Sequence, residues 1–237
     1  MAPYVVLTLL GLLGVRLIMI GWRARSWAEA FLGGTFLMIA PASAAMRHGT
    51  ASGDTSLSIQ GLGLSTVGIS LLVAFTYRTF RHGELLGMLV MAALIALNVA
   101  GYLHQVQIVG TVPHPSAFLL LARAGGFGWT AFESTRFLRM YRKREVLGLA
   151  DPVITNRFLL YAIWTTVVML VPLIMAISGE LGEQGAMGWQ NLLRVLVPPA
   201  AIVVVVCVVL TFVPPRAYLR FIERRHASRS QRAGGLE

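Results

Sequence analysis

The chain has 237 residues, of which 56% are hydrophobic and only 13% charged, and its formal net charge is +10. A soluble domain has about a quarter of its residues charged, so this composition excludes an ordinary soluble globular protein. The apolar residues form blocks of about 20, the length that an α-helix needs to cross a bilayer. We therefore predict an all-α polytopic membrane protein.

Seven apolar segments follow one another along the chain. Their predicted bounds are 4–22, 27–46, 57–77, 85–104, 116–145, 152–177 and 190–213. The fifth segment would be about 45 Å long as a helix, so its end should project beyond the membrane. Asp151 and Pro152 are typical of an N-cap and a first-turn proline, and they predict the start of the sixth helix. Segments rich in glycine, proline and polar residues predict outer loops at 49–56, 110–115 and 179–185.

The distribution of basic residues predicts the orientation. All twenty lysines and arginines except Arg47, Arg123 and Arg194 fall in or next to alternate loops. Because basic loops stay on the cytoplasmic side, we expect the N-terminus outside and the C-terminus inside. The same loops would contact anionic lipid headgroups, so the positive charge predicts membrane lipids rather than nucleic acid as partners.

Three regions are expected along the chain. Residues 1–213 form the seven-helix transmembrane bundle, and residues 214–226 form a short amphipathic helix in the inner interface. Residues 227–237 are predicted to be a disordered cytoplasmic tail. Nearly all basic residues are arginine, which is typical of GC-rich bacterial genes and suggests the bacterial inner (cytoplasmic) membrane.

Two arginines in the outer half of the bundle are candidate ligand-binding residues. Arg123 lies in the fifth segment and Arg194 in the seventh. Charges at membrane depth are costly, and guanidinium groups bind carboxylates and phosphates with two parallel hydrogen bonds. A site for an anionic headgroup or carboxylate is one interpretation. The other is a structural role, either as salt bridges with Glu180 and Glu183 or by reaching the outer headgroups.

Aromatic residues near the midplane are further candidates. Trp129, Tyr161 and Trp164 come close to the midplane on the fifth and sixth segments. They would form either one wall of an apolar ligand pocket or simply part of the packed core.

A polar cluster is predicted in the inner third of the bundle. It contains Arg16, Glu29, Glu133 and Arg136, of which the last two are three residues apart on one helix and can pair locally. A charge-neutral clamp is one interpretation of the cluster, and a proton path through Glu133 is the other.

The projecting end of the fifth segment is a candidate partner-docking element. Its basic residues are Arg139, Arg142, Lys143 and Arg144. A narrow apolar stripe on the same helix, made by Phe137, Leu138 and Tyr141, is expected to pack on the start of the sixth segment. The basic face would then remain available to an acidic cytoplasmic partner protein.

No metal or organic cofactor is expected. The outer histidines His48, His104 and His114 are candidate metal ligands, but no two of them have the i, i+4 spacing of ligands on one helix. In layout alone the seven spans resemble rhodopsin-type and G-protein-coupled receptors. Retinal would need a Schiff-base lysine in the last span, yet the only lysine is Lys143, in an inner loop.

No motif in the sequence identifies a reaction. The layout favours a receptor or sensor that binds a small or lipidic ligand in the bundle and signals through its basic cytoplasmic loops. A small transporter is the first alternative, favoured if Pro41, Pro172 and the Pro198–Pro199 pair break helices around a midplane site. The second is an intramembrane lipid-modifying enzyme that uses the outer histidines and acids, with or without a metal.

Overall fold

The computed structural model describes residues 2–109, 116–180, 182–222 and 224, and within them every regular element is a helix. The seven long helices are α1 (Ala2–Ala24), α2 (Trp27–Ser52), α3 (Thr55–Phe80), α4 (Leu85–His104), α5 (Ala117–Val146), α6 (Pro152–Glu180) and α7 (Gly182–Phe212). A π-helical turn (Gln105–Val109) continues α4, and a short helix, α8 (Arg216–Ile222), follows α7. The predicted all-α class is confirmed for the described residues.

Several of these helices have the length and composition of membrane spans. Five of them, α1 to α4 and α6, qualify among the described residues. A sixth is obtained when the second half of α7 is taken together with α8, although the two are bent by 85°. α5 is as long as the others, but Arg123 and Glu133 interrupt its apolar part. The helices are consistent with an integral membrane protein, while seven spans remain a prediction.

The connection between α2 and α3 is much shorter than predicted. α2 continues to Ser52, so the loop expected over residues 49–56 is wrong. Gly53 has φ 71°, the left-handed conformation that commonly ends a helix. The Asp54 side chain then accepts a hydrogen bond of 3.1 Å from the backbone of the first turn of α3. The polar residues before the turn stay helical, and their hydroxyls, such as that of Thr50, donate to carbonyls four residues earlier.

The loop predicted over residues 179–185 is wrong for a similar reason. α6 ends at Glu180 and α7 already begins at Gly182. The glycines of this stretch predicted a turn, but the glutamate, glutamine, alanine and methionine between them are good helix formers. The outer loop predicted over residues 110–115 lies outside the described residues, and so does the tail over 227–237.

The predicted limits of α5 and the predicted start of α6 are confirmed. The Ser116 hydroxyl caps α5, which runs to Val146 as expected. Gly148, at φ 69°, turns the chain, and the Asp151 carboxylate accepts a hydrogen bond of 2.8 Å from Val153 N at the start of α6. These capping interactions fix where a long, partly polar helix begins and ends.

The prolines do not break their helices. α2 continues through Pro41, α6 through Pro172, and α7 through Pro198 and Pro199. Inside a membrane bundle, neighbouring helices and side chains can provide new partners for the backbone groups that a proline leaves without a hydrogen bond. The sequence favours a transporter if these prolines interrupt their helices. The described backbone is not interrupted at them.

α1 and α2 pack backbone against backbone through two glycines. A Cβ atom added to Gly14 would lie 2.8 Å from Gly33 O, and one added to Gly33 would lie 2.7 Å from Gly14 O. Small residues permit this close approach of helices, which association inside a bilayer requires.

This packing predicts unequal effects of adding a methyl group to two glycines of α1. We expect Gly14→Ala to lower the free energy of unfolding by about 1–3 kcal/mol, because the added methyl must push two backbones apart. The matched control is Gly11→Ala, since an added Cβ there has no neighbour within 4 Å. The control should be neutral or stabilising by up to about 1 kcal/mol, and thermal melting in one detergent measures both. Equal melting temperatures would contradict the close packing.

The buried face of α5 positions the candidate site. α5 packs on α3, α4 and α6, while α2 lies between α1 and α3. Aromatic side chains fill the neighbouring core, where the ring of Trp164 lies 6.0 Å from that of Phe36. Polar residues on the inward face of α5 are therefore held between helices.

Candidate functional site

Arg123 is a buried cation near the N-terminal end of α5. It follows Ala117 by six residues, so it lies about 9 Å along the helix from that end. Only 9% of its surface is exposed. Its Nη2 atom donates a long hydrogen bond of 3.5 Å to Leu62 O on α3, and its buried Nε atom has no partner. Among the described residues, no carboxylate pairs with it.

Asn98 on α4 lies at the same depth and contacts the same part of α3. Its Nδ2 atom donates to Thr66 O at 2.9 Å and to Ser70 Oγ at 3.3 Å. Since a carbonyl can only accept, these bonds fix the orientation of the amide. The Asn98 Oδ1 atom is consequently a buried acceptor, and it has no partner.

One turn of α3 joins the two side chains. The Thr66 hydroxyl donates at 2.9 Å to Leu62 O, the same carbonyl that accepts from Arg123, while Thr66 O accepts from Asn98. The two carbonyls are one helical turn apart, or about 5 Å. Arg123 and Asn98 therefore belong to one polar network between α3, α4 and α5. We call it the outer polar site, after the side of the membrane on which the sequence predicts it.

The end of α4 adds two more polar side chains near this site. Gln105 opens the π-helical turn, is 1% exposed, and its Oε1 atom accepts a hydrogen bond of 2.5 Å from Ser116 N at the start of α5. The ring of His104 meets that of Phe118 edge-on, and its buried Nδ1 atom has no partner.

The outer polar site has the chemistry to bind an acid. Its free donor belongs to a guanidinium group, which suits a carboxylate or phosphate. Its free acceptor, Asn98 Oδ1, would accept from a hydroxyl or amine of the same ligand. Buried polar atoms without partners are costly, so a group that satisfies them is strongly favoured.

Arg194 cannot be placed relative to this site. Its side chain lies outside the described part of the structure, as do those of Glu180 and Glu183. The predicted pairing of Arg123 with Arg194, and the alternative of salt bridges with the two acids, both stay predictions.

A second buried charge on α5, Glu133, forms ion pairs with two arginines, although its Oε2 atom accepts no hydrogen bond. It is 1% exposed, and its Oε1 atom accepts from Arg81 Nε at 2.8 Å. Arg81 also reaches Glu84 at 2.6 Å, and Arg136 lies 3.6 Å from the other carboxylate oxygen of Glu133. The hydrogen bond with Glu84, followed by that with Glu133, raises the pKa of Arg81 above its usual value, although burial acts in the opposite direction. This arrangement clamps the C-terminal end of α3 to α5.

The predicted polar cluster is only partly assembled. Glu133 and Arg136 lie together, but among the described residues no ion pair joins Arg16 or Glu29 to them. Arg16 is exposed beside an apolar groove between α1 and α7, and Glu29 accepts a hydrogen bond from the Ser26 hydroxyl.

The sequence interpretation missed Arg81 and Asn98. Arg81 was grouped with the loop residues that set orientation, although a buried Glu133 requires a cation nearby. Asn98 is a lone amide inside an otherwise apolar helix, and such residues commonly form hydrogen bonds between helices. That signal was present in the sequence.

The midplane aromatic residues contribute to packing. The Tyr161 ring stacks on Phe75 at 5.8 Å and lies 6.2 Å from Trp164, which is 2% exposed. Trp129 is half-buried. The Trp164 Nε1 atom is buried without an acceptor.

The C-terminal end of α5 packs on α6 through its aromatic residues. Tyr141 and Phe137 contact Phe158 of α6 at ring distances of 4.9 and 5.7 Å. The basic residues of this end, Arg139, Arg142, Lys143 and Arg144, are all exposed. By helix period Arg139 and Lys143 lie away from the aromatic contact.

Two of these basic residues have neighbours that limit their availability. Arg144 lies over the Tyr141 ring at 5.9 Å. Arg142 lines a cavity of about 330 Å³ beneath α8. A 2.7 Å hydrogen bond from Asn156 to the Tyr218 hydroxyl holds α8 against α6.

The three candidate metal-binding histidines are not brought together. His48 is exposed on α2, His104 lies at the end of α4, and His114 is outside the described residues. Within the described part of the chain, no three histidine, cysteine or acidic side chains are grouped as a metal site would require.

Known proteins give no guide to the use of the outer polar site. Comparison of the chain with protein-family models, with curated protein sequences and with solved structures finds no match.

Proposed function

We propose that the chain is a seven-helix receptor-like protein of the bacterial inner membrane that binds an acidic ligand, small or lipidic, at the outer polar site. The observation that supports this proposal most directly is Arg123, a buried guanidinium group without a counter-charge among the described residues. Asn98 supplies a second polar group at the site, and α5 would communicate binding to the other end of the bundle.

The energetic argument starts from the cost of burial. Removing an ion from water costs several kcal/mol even after the protein relaxes. Ionisable residues within membrane segments are therefore rare, and they mark ligand or ion sites by default. A carboxylate or phosphate would supply the missing charge to Arg123, while a hydroxyl or amine on the same ligand would satisfy Asn98.

The route for signalling would be α5 itself. This helix carries Arg123 near one end and the exposed basic residues Arg139 and Lys143 near the other. Because it packs on three other helices, a small shift on ligand binding would be passed along it to the cytoplasmic end. The basic face would present that change to an acidic partner protein.

The ligand proposal is tested by thermal-shift titration of the purified full chain with small carboxylic acids, fatty acids and anionic phospholipids. We expect at least one acid class to raise the melting temperature, since a ligand that binds only the folded state stabilises it. The shift should be lost in Arg123→Gln, which keeps a polar side chain but removes the charge. An exposed arginine of the same helix provides the control, Arg139→Gln, which should retain the shift. If acids shift Arg123→Gln as strongly as the wild type, the proposed site is wrong.

The proposed orientation is tested by cysteine accessibility after replacing Cys207, the only native cysteine. A membrane-impermeant thiol reagent should label Ser56→Cys from outside in intact cells, and Lys143→Cys only after the membrane is opened. Both positions are exposed and lie at opposite ends of the helices. Labelling of Lys143→Cys in intact cells would overturn the orientation.

A further inference from the structure

We propose that the turn between α1 and α2 is a binding site for an anionic phospholipid. A groove of about 520 Å³ opens there between the end of α1 and the start of α2. Trp22 and Trp27 form its walls, Ile18 and Ala30 contribute apolar surface, and Arg25 lines it as well. This site is distant in sequence from the outer polar site, and the proposal does not depend on ligand binding at Arg123.

The backbone of the turn forces both tryptophans outward. Arg25 has φ 52°, and Ser26 N donates to Gly21 O at 2.8 Å, which closes the end of α1. α2 approaches so closely that a Cβ added to Gly21 would lie 2.7 Å from a backbone nitrogen of α2. No room remains for a large ring between the helices. Trp22 is accordingly 83% exposed and Trp27 64% exposed.

The exposed tryptophans mark the depth of this turn in a bilayer. Tryptophan is enriched at the level of the headgroups, where its apolar ring and its polar N–H are both satisfied. Two such rings on either side of an apolar groove would hold the upper part of an acyl chain between them.

The charge at the mouth of the groove selects the headgroup. Arg23 and Arg25 are exposed, and among the described residues neither pairs with a carboxylate. The nearest acid in sequence, Glu29, accepts a hydrogen bond from the Ser26 hydroxyl, and the two arginines outnumber it. The mouth is therefore positive, which favours a lipid with net negative charge over a zwitterionic lipid.

The test uses the full chain in phosphatidylcholine bilayers that contain a minor fraction of phosphatidylglycerol with acyl chains brominated close to the headgroup. We expect this lipid to quench the tryptophan fluorescence of the wild type more strongly than brominated phosphatidylcholine at the same fraction. The preference should vanish in the Trp22→Phe/Trp27→Phe variant, which leaves only the tryptophans elsewhere in the chain.

Two charge variants separate a built site from general attraction. Arg25→Gly suits the left-handed backbone and should lower the apparent affinity for phosphatidylglycerol by more than about fivefold, because it removes a contact in the groove in addition to one basic charge near the surface. Arg23→Gln removes the same charge outside the groove and should lower the affinity by about fivefold or less, the general effect of one basic residue at an anionic surface. Arg25→Lys should retain most of the affinity.

Three outcomes would overturn the proposal. Equal quenching of the wild type by both brominated lipids would show that the groove does not select between the two headgroups. Equal losses of affinity in Arg25→Gly and Arg23→Gln, with both variants melting like the wild type, would show that only the general positive charge attracts the lipid. Protection of Trp22 and Trp27 by a second copy of the chain, detected as a crosslinked dimer, would assign the groove to self-association.

Discussion

Arg81→Ala is expected to lower the free energy of unfolding by about 3–5 kcal/mol, because it leaves the Glu133 carboxylate buried without its closest cation. Glu133 is 1% exposed and receives a 2.8 Å hydrogen bond from Arg81. The remaining cation, Arg136, is 3.6 Å away, and its side chain is 52% exposed, so it cannot replace the lost contact. Thermal and denaturant unfolding of the purified protein measure the loss.

Two variants control for the role of the ion pair. Glu84→Gln removes the partly exposed partner of Arg81 and should change stability by about 1 kcal/mol or less. The double variant Arg81→Ala/Glu133→Gln should recover part of the loss, since no uncompensated charge remains buried. A double variant as unstable as the sum of its single changes would show that the pair contributes no coupling.

Arg123→Met is expected to change the free energy of unfolding in the opposite direction. In the absence of ligand it should raise the free energy of unfolding by about 1–4 kcal/mol, because an apolar side chain of similar length replaces a buried cation that no described carboxylate pairs with. The weak 3.5 Å contact to Leu62 O is a small loss, since that carbonyl keeps its hydrogen bond from Thr66.

The control for this prediction is an exposed arginine on the same helix. Arg139→Met should stay within about 0.5 kcal/mol of the wild type. If Arg123→Met were instead destabilised as strongly as Arg81→Ala, Arg123 would be a structural clamp, and its burial would need no ligand.

The contrast between these arginines also shows which parts of the candidate site can be predicted from the sequence. Arg123 is conspicuous in sequence because a charge interrupts an apolar segment. Its lack of a partner is not visible there, since this depends on which faces of α3 and α4 turn towards α5. Arg81 has the reverse character: it looks like one of many loop arginines, and only the tertiary packing brings it to Glu133.

The helix ends illustrate the same limit. Capping residues locate the starts of α5 and α6, because Ser116 and Asp151 act on their own first turns. The turns after α2 and α6 are shorter than predicted, because polar and glycine-rich residues that are typical of loops stay helical. Helix packing can keep such residues helical, as at Gly49, where α3 lies against the glycine and leaves no room for a side chain.

Native mass spectrometry of the full chain, released directly from membrane vesicles, tests the central claim most directly. The wild type should carry an acidic adduct that survives removal of bulk lipid, and Arg123→Met should lose it while Arg139→Met keeps it. Folding of each variant is verified by its melting temperature before the comparison. An adduct retained in full by a folded Arg123→Met variant, or a wild type that carries none and gains no stability from any acid, would contradict the account.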